Sequence, residues 1–120
     1  MANTFRVVTF AAEPNSAGSP YTIYTVPSST TTVVIGLILT NIHTSQVTTE
    51  VELVSTTSGG GRAATNGTSF LVKDAPIPVG SSLVVVGGDQ KLVLNNADHV
   101  MITSSAASSV DVVTSYLEIS

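Results

Sequence analysis

The chain has 120 residues, no cysteine, 10% charged residues and a net charge of −4. Its length suits one domain spanning residues 1–120, and the lack of cysteine excludes disulfides and thiolate metal centres. The four basic residues, Arg6, Arg62, Lys73 and Lys91, are scattered along the chain. That excludes the clustered cations with which proteins displace counterions from nucleic acid.

Turn residues punctuate the chain at short intervals, and β-branched residues dominate between them, so the elements are strands. Phe5 to Phe10 is the first, ended by the loop EPNSAGSP (residues 13–20). Tyr21 to Val26 follows and stops at Pro27, which cannot donate to a central ladder. Tyr21 and Tyr24 should fall on opposite faces of this strand, leaving one free to stack on a sugar or a neighbouring subunit.

Thr31 to Ile42 is the most informative segment. Val33 to Leu39 is an unbroken run of seven apolar or glycine residues. A strand with one wet face alternates apolar and polar residues. This one does not, so its second face requires a cover, either from the chain itself or from another subunit. A turn around His43 to Gln46 should then form a hairpin with Val47 to Ser55, whose alternation points Glu50 and Glu52 to solvent.

Thr56 to Gly67 carries four glycines and reads as a flexible loop suited to partner contact. Thr68 to Val72 is a further strand. Lys73 to Gly80 is an extended connection, because Pro76 and Pro78 exclude a helix and an interior strand. Leu83 to Val86 and Lys91 to Leu94 flank a hairpin tip at Gly87, Gly88 and Asp89. His99 to Thr103 and Val110 to Ile119 form the last pair. In the final strand Val110 and Val112 fall on one face, and Val113, Leu117 and Ile119 on the other. A β-bulge near Val113 would bring both sets onto one core; the alternative is a strand buried on both sides. Eight or nine short strands without crossover helices give an all-β antiparallel β-sandwich, of jelly-roll or immunoglobulin-like type.

Motifs for chemistry are sparse. His43 and His99 are the two histidines. Asp98 precedes His99 directly, and neighbours on a strand point to opposite faces, so no Ser–His–Asp cluster is expected. Asn95, Asn96 and Asp98 offer oxygen ligands but lack EF-hand spacing and serve equally well as turn residues. Gly59 to Gly61 precede Arg62 without the Lys-Ser/Thr of a phosphate loop. Glu50 and Glu52 lie on one strand rather than across a cleft, the arrangement of a solvated face. The expectation is a non-enzyme with no cofactor, metal, small-molecule substrate or nucleic-acid partner. No stretch approaches the ~20 apolar residues of a membrane-spanning helix. The opening MANTFRVVTF lacks the basic start and apolar run of a signal peptide, so a soluble chain folded where it is made is expected.

KDAPIPVGSSL (Lys73 to Leu83), KLVLNNADHV (Lys91 to Val100) and the closing SSVDVVTSYLEIS resemble the C-terminal half of small β-structured virion proteins of tailed bacteriophages, of the marine phage type. The resemblance covers residues 73–120, with moderately specific motifs. It implies a structural role on the particle: capsid decoration or cement, or an attachment on the neck or tail. It further implies trimers or arrays of the chain, contact with partners such as a major capsid protein, and a virion location after assembly in the host cytoplasm. Val34, Ile38 and Ile42 on the apolar strand, Tyr24 and Arg62 are the expected interface residues. The alternative is a carbohydrate- or receptor-binding module of a fibre, using Tyr21 or Tyr24 and the glycine-rich loop.

Overall fold

The computed structural model describes residues 2–120. Nine strands form: β1 (Asn3–Glu13), β2 (Tyr21–Thr25), β3 (Thr31–Asn41), β4 (Val47–Val54), β5 (Ser69–Ile77), β6 (Ser82–Val86), β7 (Leu92–Leu94), β8 (His99–Ser104) and β9 (Val110–Ile119). They build two antiparallel sheets, ordered β1-β9-β3-β6 with β7 also on β3, and β2-β8-β4-β5. First and last strands are neighbours, and every connection except β4–β5 and β6–β7 passes from one sheet to the other. This is the wrapped strand order of a jelly roll rather than of an immunoglobulin domain.

The core lies between the sheets. Leu37 and Leu39 from β3, with Val110, Val112 and Tyr116 from β9, meet Val47, Val51, Ile77 and Ile102 of the opposite sheet. These inward positions alternate strictly along β9, with Val110, Val112, Thr114, Tyr116 and Glu118 buried.

Several local expectations are corrected. β3 and β4 are not a hairpin, since they lie in different sheets. The turn between them is a corner organised by Asn41, which is 3% exposed. Its amide donates to the carbonyls of Ser45 (3.0 Å) and Ile77 (2.8 Å), and its side-chain oxygen accepts from the His43 N–H at 2.7 Å. β8 and β9 likewise belong to opposite sheets.

Gly87 to Asp89 is no hairpin tip. β6 and β7 both run antiparallel to β3 along one side of it, β6 opposite Leu37–Thr40 and β7 opposite Thr32–Val34. They are one strand interrupted by an excursion, which Gln90 N–H closes onto the Gly87 carbonyl at 3.2 Å. A Cβ at Gly87 would meet Val84 Cγ1 at 2.8 Å, so any larger residue there would displace the Val84 side chain.

The connection after Val72 stays in the sheet, and β5 runs to Ile77 with Pro76 opposite Thr48. Proline is tolerated because β5 is an edge strand and its missing donor would face outward. β9 carries no bulge at Val113. It runs in unbroken register with β1 from Ile119 to Val112, while the irregularity against β3 lies at Ile35, between Val34 and Gly36. β2 does carry one, between Thr22 and Tyr24, and this places Tyr21 and Tyr24 on the same inward side, opposite Ile102 and Val100.

Candidate assembly surface

The two sheets present contrasting outer faces. The β2-β8-β4-β5 sheet presents half-buried Thr48, Glu50, Glu52 and Thr103, with Lys73 bonded to Glu50 at 2.6 Å and poised over the Phe70 ring. Alternating polar residues on β4 and β8 account for this ordinary solvated surface.

The β1-β9-β3-β6/β7 sheet does the opposite. Antiparallel register aligns its outward residues in cross-strand rows. One row runs Phe5, Leu117, Val33, Val93. Another runs Thr9, Val113, Ile38, Val84. Val7, Ser115 and Gly36 lie between them. Phe5, Val7, Val84, Val93, Val113 and Ile38 are exposed by between 38% and 73%. Scaled by side-chain size, this is roughly 500 Å² of contiguous apolar surface. The largest patch of a typical monomer measures about 300–600 Å² and is often functional. No Lys, Arg, Glu or His stands in the rows; Asp111 lies at their margin, opposite Thr40.

Beneath the face, at the end near the termini, sits a polar cluster. Glu118 points inward from β9 and is 9% exposed. Its carboxylate accepts from the Tyr24 hydroxyl at 2.5 Å and from Arg6 Nε at 2.6 Å, and the same hydroxyl lies 2.9 Å from Thr32 Oγ1. The Tyr24 bond, then Arg6, hold the Glu118 carboxyl below its usual range against the opposing effect of burial. Tyr24 is pushed up to about 12, by burial first and by Glu118 second. Its ring stacks on Tyr116 at 3.9 Å between centroids. The cluster satisfies itself internally and ties β1, β2, β3 and β9 together.

The expected interface residues therefore separate. Ile38 stands in the apolar face, whereas Val34, 2% exposed, is packed inside the sandwich. Ile42 is exposed at the corner after β3. Tyr24 belongs to the inner polar cluster, and Tyr21 packs edge-on against Phe10 at 5.4 Å. Arg62 folds back on its own loop, bonding the Gly59 carbonyl at 2.6 Å and Asn66 Oδ1 at 3.2 Å. It borders an open polar groove of about 730 Å³ that also includes Thr57, Asn95 and Asn96. The buried Asp98 carboxylate accepts from the Asn95 N–H and from Thr57, fixing a turn rather than orienting a histidine. Among the described residues no group of three or more His, Asp or Glu is placed to hold a metal ion. Phe5, Val7, Val84 and Val93 escaped the sequence reading. The signal was their shared face with Leu117 and Val113, which needs the pairing of β1, β6 and β7 to be seen.

No family model matches the chain, and no curated protein matches it. Solved structures do. A chain of the Bacillus endospore appendages, which form disulfide-linked pili, is 16% identical over 99% of this chain and 87% of its own, with a TM-score of 0.49. A chain of the T13 IBDV viral particle is 14% identical with a TM-score of 0.52, over 95% of this chain. The present chain spans 30% of that viral chain's length. At this identity the likeness to the viral chain is one of fold: a two-sheet antiparallel sandwich.

Proposed function

We propose that this chain is a non-enzymatic structural subunit of a protein assembly, and that the outer face of the β1-β9-β3-β6/β7 sheet is its subunit contact. The observation that carries the reading is the uncharged apolar carpet of Phe5, Val7, Val33, Ile38, Val84, Val93, Val113 and Leu117. Such a face is matched by a surface that is equally apolar and free of charge, and the same face on a second copy has those properties. Two copies packed face to face would bury roughly 1,000 Å² in total, the lower bound for a specific contact. An area of this size does not fix the affinity, because lost translational freedom, side-chain ordering and desolvation offset much of the gain from burial.

Within that role the finer assignment is decoration or cementing of a bacteriophage capsid, in contact with shell protein. It is supported by the resemblance of residues 73–120 to small virion proteins and by a jelly-roll sandwich with no exposed catalytic cluster among the described residues. The carbohydrate-binding alternative loses its aromatic platform, because Tyr21 and Tyr24 both pack inward. Virus particles banded on a density gradient and probed for this chain test the assignment. A fixed ratio of the chain to shell protein across the band is expected; its absence from the particle band refutes the virion role.

A further inference from the structure

The four edges of the two sheets are not equally protected. An open edge offers a row of unpaired backbone donors and acceptors, and proteins guard it with brevity, proline, bulges or charge. β2 has five residues, an internal irregularity and prolines 20 and 27 nearby. β5 carries Pro76, two irregularities and the charged pair Lys73–Asp74, with Asp74 at a positive φ of 50°. β6 and β7 are short and broken by the Gly87–Lys91 excursion. β1 is long and carries no proline or irregularity over residues 3–10; its one irregularity, between Phe10 and Glu13, and Pro14 lie at its far end. It pairs with β9 in continuous register from Asn3 to Phe10, and no other strand borders it. Its one charge over residues 3–10, Arg6, is offset by Glu118, bonded to it at 2.6 Å, while 57% of the arginine side chain stays exposed.

We propose that the free edge of β1 pairs with β1 of a second copy, antiparallel about a two-fold axis at Val7, so that two sheets join edge to edge. This deepens the assembly reading above and rests on it. The register follows from three constraints. Residues directly opposite in an antiparallel pair share a face, so the outward set Phe5, Val7, Thr9 must meet its own kind and the axis must pass through a residue. Overlap of the regular stretch 3–10 is greatest with the axis at residue 6 or 7. An axis at residue 6 sets Arg6 against Arg6, and like charges directly opposite are destabilising. An axis at Val7 sets Arg6 against Val8 and Phe5 against Thr9. The joined sheet then carries both apolar faces on one side, doubling the carpet offered to further copies.

Because the chain has no cysteine, single-cysteine variants read this register directly. Val7→Cys, Phe5→Cys, Thr9→Cys and, as a control on the guarded edge, Thr22→Cys are oxidised with glutathione disulfide, which accepts the two electrons. Val7→Cys should form disulfide-linked dimers at least ten times faster than Thr22→Cys. Phe5→Cys and Thr9→Cys should each link poorly alone, since their own copies lie four residues out of register, about 13 Å apart. Mixed together they should link as efficiently as Val7→Cys. Equal rates at all four positions, or none above the control while the unsubstituted chain still self-associates, would overturn edge pairing and leave face packing standing. Loss of all self-association in the unsubstituted chain would overturn both.

Discussion

Val113 sits at the middle of the apolar carpet, between Thr9 and Ile38 on the flanking strands, and is 43% exposed. Val113→Lys tests what that position does. In the isolated chain the lysine stem can lie along its neighbours while the ammonium reaches water. The loss is then confined to the buried part of one valine, about 1 kcal/mol. In a face-to-face contact the same ammonium is enclosed between apolar surfaces with no carboxylate in reach. An uncompensated charge in such a setting costs about 3 kcal/mol or more, roughly a hundredfold in dissociation constant, and a two-fold contact carries two of them. Dilution calorimetry should show a heat of dissociation for the unsubstituted chain and none for the variant at the same concentrations. Urea unfolding at low concentration should show midpoints close to one another. Equal dilution heats would refute the role given to this face. A collapse of the low-concentration midpoint would show that Val113 serves the fold instead.

Glu118 makes stability depend on pH. Its carboxyl is held below the unfolded value of 4.5, so its contribution is complete above that pH and is lost as pH falls through the lower folded value. Thermal melts below pH 4.5 should therefore decline more steeply for the unsubstituted chain than for Glu118→Gln. Among the described residues the buried Tyr116 hydroxyl has no well-formed hydrogen bond, so Tyr116→Phe should leave stability unchanged or raise it by up to about 1 kcal/mol in urea titration. Asn41→Ala removes three hydrogen bonds at the corner between the sheets. It should cost about 3 kcal/mol, seen as a lower urea midpoint.

Strand positions were legible in the sequence because β-branched runs and turn residues alternate cleanly along it. Partnership was not. The corner at Asn41 and the turn before Val110 look like hairpin turns locally, yet each carries the chain across to the other sheet. At the first corner the buried Asn41 amide bonds the Ile77 carbonyl, a contact that short-range pattern cannot display. In β9 the apolar residues Val113 and Leu117 drew the expectation of a bulge, on the premise that large apolar groups belong inside. They lie outside, while Thr114 and Glu118 are inside and satisfied by Gly36, Tyr24 and Arg6. The unbroken apolar run of β3 serves two faces. Its residues divide between Leu37 and Leu39 within the core and Ile38 without.

The central claim concerns what meets that outer face. Sedimentation velocity on the purified, unsubstituted chain, from micromolar to near-millimolar concentration, tests it most directly. The mass should rise with concentration from the 12.3 kDa of one chain to whole-number multiples of it. A single 12.3 kDa species across the whole range would contradict the account.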